Sequence, residues 1–221
     1  QKELKLTQIE IKQLLDSVQW GIKSQTVDGY FPFFYSLEKK QFNNTAYSHF
    51  TIYPLYNLMG FPLAELDSLG SKDSFESYQR GVNWITKVQE SDGGLYTYYF
   101  GSDHVWHQQS PAIAQALCSL TQLYEKTNDD KYLNAAKKTS KWLVENQISD
   151  KKFDGSFFWV YPNKKYSKLQ KKIMYIKEII KNKISKSEQI KDVAVLLDKI
   201  PIWPVQFAIE GLYRYKKYIA N

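Results

Sequence analysis

The stretch His104-Val-Trp-His-Gln-Gln-Ser-Pro-Ala-Ile-Ala-Gln-Ala-Leu-Cys-Ser-Leu-Thr-Gln-Leu-Tyr-Glu-Lys-Thr127 predicts a helix that is buried on nearly every side. Pro111 suits the first turn of a helix, where a backbone N–H has no intrahelical partner in any case. The residues after it are apolar at helical spacing or small: Ile113, Leu117, Leu120 and Leu123, with Ala112, Ala114 and Ala116. A helix of this kind lies inside a protein rather than at its surface.

Polar and aromatic side chains directly precede this helix. They are His104, Trp106, His107, Gln108 and Gln109. Such groups at one end of an inner helix are what a ligand pocket at the mouth of a helical barrel requires. The two histidines and the aspartate beside them could also begin a metal site, but no further ligand follows at a suitable spacing. Histidines in such a position more often hydrogen-bond loops.

A short signature occurs three times along the chain. In each copy a Trp and a Gln lie five residues apart at the end of a predicted helix, and an Asp-Gly turn follows: Trp20, Gln25 and Asp28-Gly29; Trp84, Gln89 and Asp92-Gly93; Trp142, Gln147 and Asp154-Gly155. The tryptophans are 64 and 58 residues apart, which leaves room for two helices per copy. Such spacing is typical of a repeat protein. Because Asp-Gly is turn chemistry, we assign the three aspartates to turns.

Partner helices are expected between these copies, each opened by a proline: Pro54, Pro111 and Pro204. The sequence therefore predicts an all-α fold in which αα-hairpin repeats form a partial (α/α) toroid with short β-like rim segments. We expect residues 1–221 to form a single domain. Complete α/α barrels usually have six hairpins, so three hairpins favour a homodimer or a missing partner domain.

Residues 164–198 are expected to interrupt the third copy as a basic insert. Nine Lys and one Glu lie between residues 164 and 186, whereas the rest of the chain is close to neutral. An apolar stripe at helical spacing predicts a basic amphipathic helix: Leu169, Ile173, Ile176, Ile180 and Ile184. This helix packs on the body through its stripe, holds an anionic polymer, or makes peripheral contact with an acidic membrane surface.

The composition and motifs exclude several classes of protein. Cys118 is the only cysteine and lies in the buried stretch, so we expect a core residue and no disulfide. The lysines of the insert are not interleaved with aromatics in a nucleic-acid signature, so no nucleic-acid partner is expected. The sequence contains no Gly-rich phosphate loop, Gly-x-Ser-x-Gly elbow or zinc spacing, so we expect no metal and no cofactor.

The sequence does not indicate the cellular localisation of the protein. No apolar run approaches the length of a transmembrane helix. The chain begins at Gln1, from which we expect a processed or trimmed N-terminus. The localisation therefore stays unknown.

Aromatic residues are numerous, with seventeen Tyr, twelve Phe and six Trp. Flat amphipathic rings suit surfaces that bind sugars, although aromatic-rich packing explains them equally well. Positions near the starts of the other inner helices add candidates for one common hollow: His49, Tyr53, Trp159, Tyr161, Trp203 and Gln206. Glu210 lies within the last inner helix, where a carboxylate is costly to bury unless it is paired or functional.

Four segments resemble the C-terminal domain of the D-glucuronyl C5-epimerases, which act on heparosan-type polysaccharides. They are residues 106–117, residues 123–136, Trp159-Val-Tyr-Pro162 and Ile209-Glu-Gly-Leu-Tyr213. Residues 84–94 are similar to a helix followed by Asp-Gly-Gly in that family and in other α/α-toroid proteins, which include glycan hydrolases, lyases and terpene cyclases. Val160 stands where the epimerases carry an acidic residue.

The resemblance implies proton abstraction at C5 of a hexuronate, α to its carboxylate, and reprotonation from the opposite face. Tyr161 matches the family's Tyr-Pro position and is the implied acid or base. A phenol needs cationic neighbours to act as a base, and Lys164 and Lys165 are the candidates. His107 or Tyr53 would serve the other face.

The implied partner is an acidic polysaccharide or oligosaccharide. The residues expected to bind it are His49, His104, Trp106, Gln108, Gln109, Trp159, Trp203, Gln206, Lys164 and Lys165. Two alternatives stay open. One is a polysaccharide lyase or hydrolase of the same fold, and the other is a non-catalytic module that binds a glycan or a protein, which the valine at position 160 favours. Terpene-cyclase chemistry is disfavoured because an Asp-rich motif is missing.

Overall fold

The computed structural model describes residues 7–32, 35–42, 45–47, 71–100, 103–104, 107–162, 169, 173, 176, 200 and 202–219. This part of the chain is mostly helical, as predicted. Its helices are α1 Gln8–Ser24, α2 Ser71–Val88, α3 Ser110–Thr127, α4 Asp130–Glu145 and α5 Trp203–Ile219. No helix in these ranges combines the length and the apolarity that a membrane crossing requires.

Short strands connect the helices in antiparallel pairs. They are β1 Tyr35–Ser36, β2 Gln41–Phe42, β3 Thr45–Tyr47, β4 Tyr98–Phe100, β5 Asp103–His104, β6 His107–Gln109 and β7 Val160–Pro162. β1 pairs with β2, β4 lies between β3 and β5, and β6 pairs with β7. The last pair matters most here, because it joins two segments that are about 50 residues apart in the sequence.

Local sequence explains where several helices begin and end. Thr7 and Glu10 form a capping box at the start of α1, in which each side chain accepts a hydrogen bond from the other's backbone N–H. α3 ends at Asn128, which adopts the left-handed conformation (φ 53°) that Asn tolerates well. Asp129 then caps α4 by accepting a hydrogen bond from the backbone N–H of Lys131. This tight connection makes α3 and α4 a hairpin.

α3 is the centre of the core, as its sequence predicts. Its residues from Ser110 to Leu123 are all buried. The helix packs against α2, α4 and α5. Gly211 allows α5 to come close, because a Cβ at this position would lie only 2.9 Å from the Leu117 side chain. Burial of each large apolar side chain on α3 contributes about 1.5–3 kcal/mol, so this helix organises the stability of the described chain.

The three predicted Asp-Gly turns share one hydrogen-bonding pattern. In each turn the residue after the signature Gln donates its N–H to the carbonyl of the residue after the Gly, and its own carbonyl accepts from the Gly N–H. The donor–acceptor pairs are Thr26–Tyr30 and Gly29–Thr26, Glu90–Gly94 and Gly93–Glu90, Ile148–Ser156 and Gly155–Ile148, all at 2.9–3.0 Å. The three glycines have positive φ values of 102°, 91° and 79°. The assignment of the aspartates to turns is confirmed.

The first two turns each seat the next Trp-bearing helix. Gln25 Nε2 donates to the carbonyls of Gly29 (2.8 Å) and Ser77 (2.9 Å), and Ser77 belongs to α2. Gln89 Nε2 donates in the same way to the carbonyls of Gly93 (3.4 Å) and Ala135 (3.1 Å), and Ala135 belongs to α4. The signature Gln therefore ties its own turn to the following helix.

The predicted insert is described at only three positions. Leu169, Ile173 and Ile176 are helical there, and their side chains are 67%, 43% and 46% exposed. The expectation that this stripe packs on the body is therefore wrong for these residues, which face solvent. The other residues of the range 164–198 lie outside the described part of the chain.

Candidate functional site

The paired strands β6 and β7 bring several predicted site residues together. His107 lies opposite Pro162, Gln108 opposite Tyr161 and Gln109 opposite Val160. Trp159 joins them, because its carbonyl accepts a hydrogen bond from the backbone N–H of Ser110 (3.0 Å) at the start of α3. The N-terminal end of α3 therefore carries one cluster, formed by His107, Gln108, Gln109, Trp159 and Tyr161, which we call the α3-end cluster.

Gln108 is the most tightly held member of this cluster. Its Nε2 donates to both carboxylate oxygens of Asp92, at 3.0 and 3.1 Å. Its Oε1 accepts from Nε1 of Trp142 at 2.9 Å. The side chain is 1% exposed, and it fills the space that a Cβ on Gly94 would occupy. Gln108 thus links the second turn to the helix of the third copy, and its amide is engaged within the protein.

The hydroxyl of Tyr161 is also engaged within the protein. It donates to the carbonyl of Asn146 at 2.8 Å and accepts from the backbone N–H of Phe158 at 2.7 Å. Its ring meets Trp142 edge-on, with the ring centres 5.2 Å apart. Burial raises the pKa of Tyr161 to about 12, so the phenol keeps its proton at neutral pH.

Tyr99 makes the same set of contacts in the second copy. Its hydroxyl donates to the carbonyl of Val88 (3.2 Å) and accepts from the backbone N–H of Tyr96 (3.0 Å). Its ring meets Trp84 edge-on at 5.2 Å. In both copies the carbonyl belongs to the residue four positions after the Trp, and the N–H to the residue three positions before the Tyr. The position of Tyr161 is therefore part of the repeated packing.

His107 lies at the centre of the α3-end cluster and is fully buried. Its carbonyl accepts from the backbone N–H of Thr97 at 2.9 Å, which fixes β6 beside the second copy. Burial lowers the pKa of His107 to about 4, because the charged imidazolium is poorly solvated there. The ring is therefore neutral at pH 7, and it is a weaker base than an imidazole in water.

The other predicted site residues are not all brought to this cluster. Gln206 lies on α5 with an exposed side chain. His104 lies in β5 and Trp203 at the start of α5, and the structure describes only their backbones. His49, Tyr53, Trp106, Lys164 and Lys165 lie outside the described residues.

Two residues singled out in the sequence have structural explanations. Glu210 pairs with Nε of Arg214 at 3.2 Å, and Nη1 of the same arginine lies 3.4 Å from Glu125. The partly buried carboxylate is therefore compensated. Cys118 is buried, its Sγ donates to the carbonyl of Phe207 at 3.3 Å, and burial raises its pKa to about 12. It is the core residue that the sequence predicts.

Two further residues prove important at this site. Asp92 was predicted only as a turn residue, but its carboxylate also holds Gln108. Tyr99 is the second: it follows Trp84 by 15 residues, whereas Tyr161 follows Trp142 by 19. Because the two spacings differ, the sequence alone does not show that the two tyrosines are equivalent.

Comparison with known proteins relates this geometry to solved structures. Neither a family model nor a curated protein matches the chain. Among solved structures, the chain superposes on a possible member of the GH105 family from Klebsiella pneumoniae with a TM-score of 0.63, at 11% identity over 95% of this chain and 50% of that one. A sugar epimerase from a ruminal bacterium gives a TM-score of 0.57, at 16% identity over 68% of this chain and 38% of that one.

A third structure is similar in the same way. Cellobiose 2-epimerase from Bacillus thermoamylovorans gives a TM-score of 0.51, at 11% identity over 71% of this chain and 40% of that one. The chain shares the α/α-toroid fold. Identities this low establish fold alone. The chain spans half or less of the length of these three structures.

Proposed function

We propose that this chain is carbohydrate-active and acts on an acidic, uronate-containing polysaccharide by exchanging the proton at C5 of the sugar. One observation carries the proposal. Two of the four segments that resemble the C5-epimerases lie side by side, because residues 107–109 of one (β6) pair with residues 160–162 of the other (β7). Residues from two distant parts of the chain that match one family's motifs are thereby held in a single cluster.

The fold supports the coarser part of this proposal, a carbohydrate substrate. Two of the similar structures are named as epimerases of sugars, and a third as a possible member of a GH family. Because a fold hosts many functions, the α3-end cluster and not the toroid has to carry the chemistry.

The pKa directions divide the proposed proton chemistry between two groups. Abstraction at C5 needs a base that is free of its proton, and reprotonation needs an acid on the opposite face. His107 is neutral at pH 7 and would take the base role, and Tyr161 keeps its proton and would take the acid role. Burial weakens both groups in these roles, so the bound substrate would have to change their surroundings. For catalysis the Tyr161 hydroxyl would exchange its bond to the Asn146 carbonyl for a bond to the sugar. Tyr53 remains the proposed alternative to His107 on the face opposite Tyr161.

Binding of an acidic glycan is assigned to residues around this pair. Gln109 and Trp159 belong to the α3-end cluster, and His49, His104, Trp106, Trp203 and Gln206 are proposed to complete the binding surface. Lys164 and Lys165 open the basic segment, which would attract a polyanion and neutralise its carboxylates. Gln108 acts here as a positioning residue, because its amide is occupied by Asp92 and Trp142.

A second candidate function is glycan binding without catalysis. The observation that favours it is the equivalence of Tyr161 and Tyr99, whose hydroxyls make the same bonds to backbone groups. Packing alone accounts for a phenol held in this way. A lyase would share the first proton abstraction and differ in what leaves the sugar next.

Proton exchange measured by NMR in D2O distinguishes these functions. Uronate polymers and neutral glycans are incubated with the protein, and deuterium at C5 is followed. Deuterium uptake without cleavage is the expected result, an unsaturated product with ultraviolet absorbance would indicate a lyase, and binding alone would indicate a module. Binding of neutral glycans only would contradict the role given to the lysines.

The matched variants Tyr161→Phe and Tyr99→Phe separate chemistry from packing. Both lose the same two hydrogen bonds, so both should lose similar stability. If Tyr161 is the acid, C5 exchange falls at least about a hundredfold in Tyr161→Phe, which is the usual contribution of a general acid, and stays near the wild-type rate in Tyr99→Phe. Equal activity in the two variants would refute that role.

A further inference from the structure

The third Asp-Gly turn is built like the other two, but no helix of the described chain is seated on it. A Cβ on Gly29 or Gly93 would lie within 2.3 Å or 2.1 Å of the carbonyl oxygen of Arg80 or Lys138 on the following helix. A Cβ on Gly155 would meet no atom of the described residues within 4 Å. Within the described part of the chain, no helix therefore fills in the third copy the docking position that α2 and α4 fill in the first two.

An apolar groove lies beside α4, the helix that precedes the third turn. It has a volume of about 340 Å³ and runs between α4 and α5, lined by Ser140, Lys141, Val144, Glu145, Leu212 and Tyr215. Val144 is 59% exposed. On the side of α5 that faces away from α3, Ile209 and Tyr213 are 64% and 70% exposed. A surface with this many exposed large apolar side chains is typical of an interface.

α1 carries the opposite half of such an interface. The helices seated on the first two turns bury the residues ten, seven and three positions before the Trp, and the Trp itself: Ser74, Ser77, Gly81 and Trp84 on α2; Tyr132, Ala135, Thr139 and Trp142 on α4. The same four positions on α1 are Glu10, Gln13, Ser17 and Trp20, and all four are exposed. Trp20 is 61% exposed, against 4% for Trp84 and 1% for Trp142.

We propose that the third turn and the α4–α5 groove bind α1 of a second copy of this chain. In this arrangement the copies join head to tail. The Trp20 side chain packs beside the Gly155 turn of its partner, as Trp84 packs beside Gly29. Gln147 bonds the backbone of the incoming helix, as Gln25 and Gln89 do within the chain.

Charges at matched positions fit this occupant. In the first copy Asp28 of the turn lies 3.5 Å from Lys87, which is three residues after the Trp of the seated helix. The equivalent residues of the proposed interface are Asp154 on one copy and Lys23 on the other, and both are exposed. The pair of opposite charges would therefore be reproduced between copies.

A second position is complementary too. Tyr132, ten residues before its Trp, donates its hydroxyl to Asn83 on the preceding helix at 2.9 Å. At the proposed interface the corresponding residues are Glu10 of the incoming α1 and Lys141 of the receiving α4. A carboxylate thus meets an ammonium where the chain itself has a hydrogen bond. Each exposed pair contributes only about 0–1 kcal/mol, so the charges select the register rather than supply the affinity.

Two copies are enough to occupy both proposed surfaces, because each copy carries one α1 and one third turn. A head-to-tail interface gives a ring when its rotation closes, and otherwise an open polymer. A closed ring of two chains is the expected product.

Sedimentation equilibrium of the full chain tests this proposal. The expected species has twice the 26.0 kDa of the single chain and does not grow further as concentration rises. Ser17→Trp should give the single-chain mass, because Gly81 and Thr139 leave no room for a large side chain at this position. Lys12→Trp is the matched control on α1: the equivalent residues on the seated helices, Glu76 and Asn134, stay exposed, so this variant should keep the double mass.

A variant on the receiving surface completes the test. Val144→Arg places a charge in the apolar groove at an exposed position and should also give the single-chain mass. Mixing Ser17→Trp with Val144→Arg should restore a two-chain species. The Val144→Arg chain still has an intact α1, and the Ser17→Trp chain still has an intact groove to receive it. Each variant should unfold at the same temperature as wild-type protein that has been diluted until it is a single chain. This comparison shows that the substitutions leave the fold of the chain intact.

Three results would overturn the proposal. They are a single-chain mass for the wild type at every concentration up to its solubility limit, a double mass that persists in both Ser17→Trp and Val144→Arg, and a mass that increases without limit. The first would show that α1 and the third turn are solvated ends of the described repeats. The second would place a dimer on another surface, and the third would show an open polymer.

Discussion

Tyr99 and Tyr161 occupy equivalent positions, each with its ring edge-on to a buried Trp and its hydroxyl between a helix-end carbonyl and a backbone N–H. Removing either hydroxyl leaves two backbone groups without their partner, which costs about 1–3 kcal/mol in a buried setting. We therefore predict that Tyr99→Phe and Tyr161→Phe lower the free energy of unfolding by similar amounts within this range. Urea denaturation measures both, and a loss confined to one variant would show that the positions are not equivalent in energy.

Substitution of Gln108 is expected to lower the free energy of unfolding by more, because its amide bonds two partners. In Gln108→Ala the Trp142 Nε1–H loses its hydrogen bond to the amide, and the Asp92 carboxylate keeps only the bond from the Gly94 N–H. The expected loss in the free energy of unfolding is about 2–4 kcal/mol. Gln41→Ala, at an exposed strand position, is the control and should change it by less than about 0.5 kcal/mol. A small effect of Gln108→Ala would mean that water replaces the amide.

Alanine substitutions at two of the turn glycines separate the cost of backbone strain from the cost of a steric clash with the following helix. Gly93→Ala adds a methyl group 2.1 Å from the Lys138 carbonyl oxygen and forces Ala to a φ of 91°. We expect it to destabilise the fold by about 3 kcal/mol or more. Gly155→Ala meets no neighbour and bears only the strain of its φ of 79°, about 1 kcal/mol. Thermal unfolding ranks the two, and equal effects would contradict the seating of α4 on the second turn.

Burial of His107 is expected to make the free energy of unfolding decrease as pH falls. Its pKa is lowered to about 4 in the folded state, whereas an unfolded His titrates near 6.5, so the unfolded chain binds the proton first as pH falls. The stability that comes from the neutral ring is present above pH 6.5 and is lost between pH 6.5 and 4, by about 3 kcal/mol. The difference in unfolding free energy between wild type and His107→Gln, measured across this range, isolates the contribution from that of the carboxylates. An unchanging difference would show that the ring titrates normally.

Much of the fold could be predicted from the sequence because it depends on local signals. Pro111 and the small and apolar residues after it determine a buried helix, and Asp-Gly determines a turn, whatever the rest of the chain does. The capping box of α1 is local in the same sense. These features need only neighbouring residues, and the structure confirms them.

The roles of the site residues could not be predicted, because they depend on partners far away in the sequence. Gln108 stands among histidines and aromatics that indicate a pocket, but its amide bonds Trp142, 34 residues further on. Tyr161 matches a family motif, yet its hydroxyl bonds the carbonyl of Asn146 across a turn. No spacing rule reveals such contacts.

The repeated signature also does not predict which of its tryptophans are exposed to solvent. Trp20, Trp84 and Trp142 stand in the same local pattern, but the first is largely exposed and the others are buried. The difference comes from what packs beside each helix, which a local pattern does not encode. The repeated signature therefore predicts the local helix and turn, but not how deeply each tryptophan is buried.

Gln25 and Gln89 recognise the helix that follows through its main-chain carbonyls, which every residue type carries. The receiving side chains are consequently free to diverge, provided that they stay small enough for close approach. A tandem duplication of such a unit would keep this main-chain contact, because the contact needs no particular side chain at the accepting residue. Growth of the array by copying whole hairpins is thus the mutational path that this contact makes easiest.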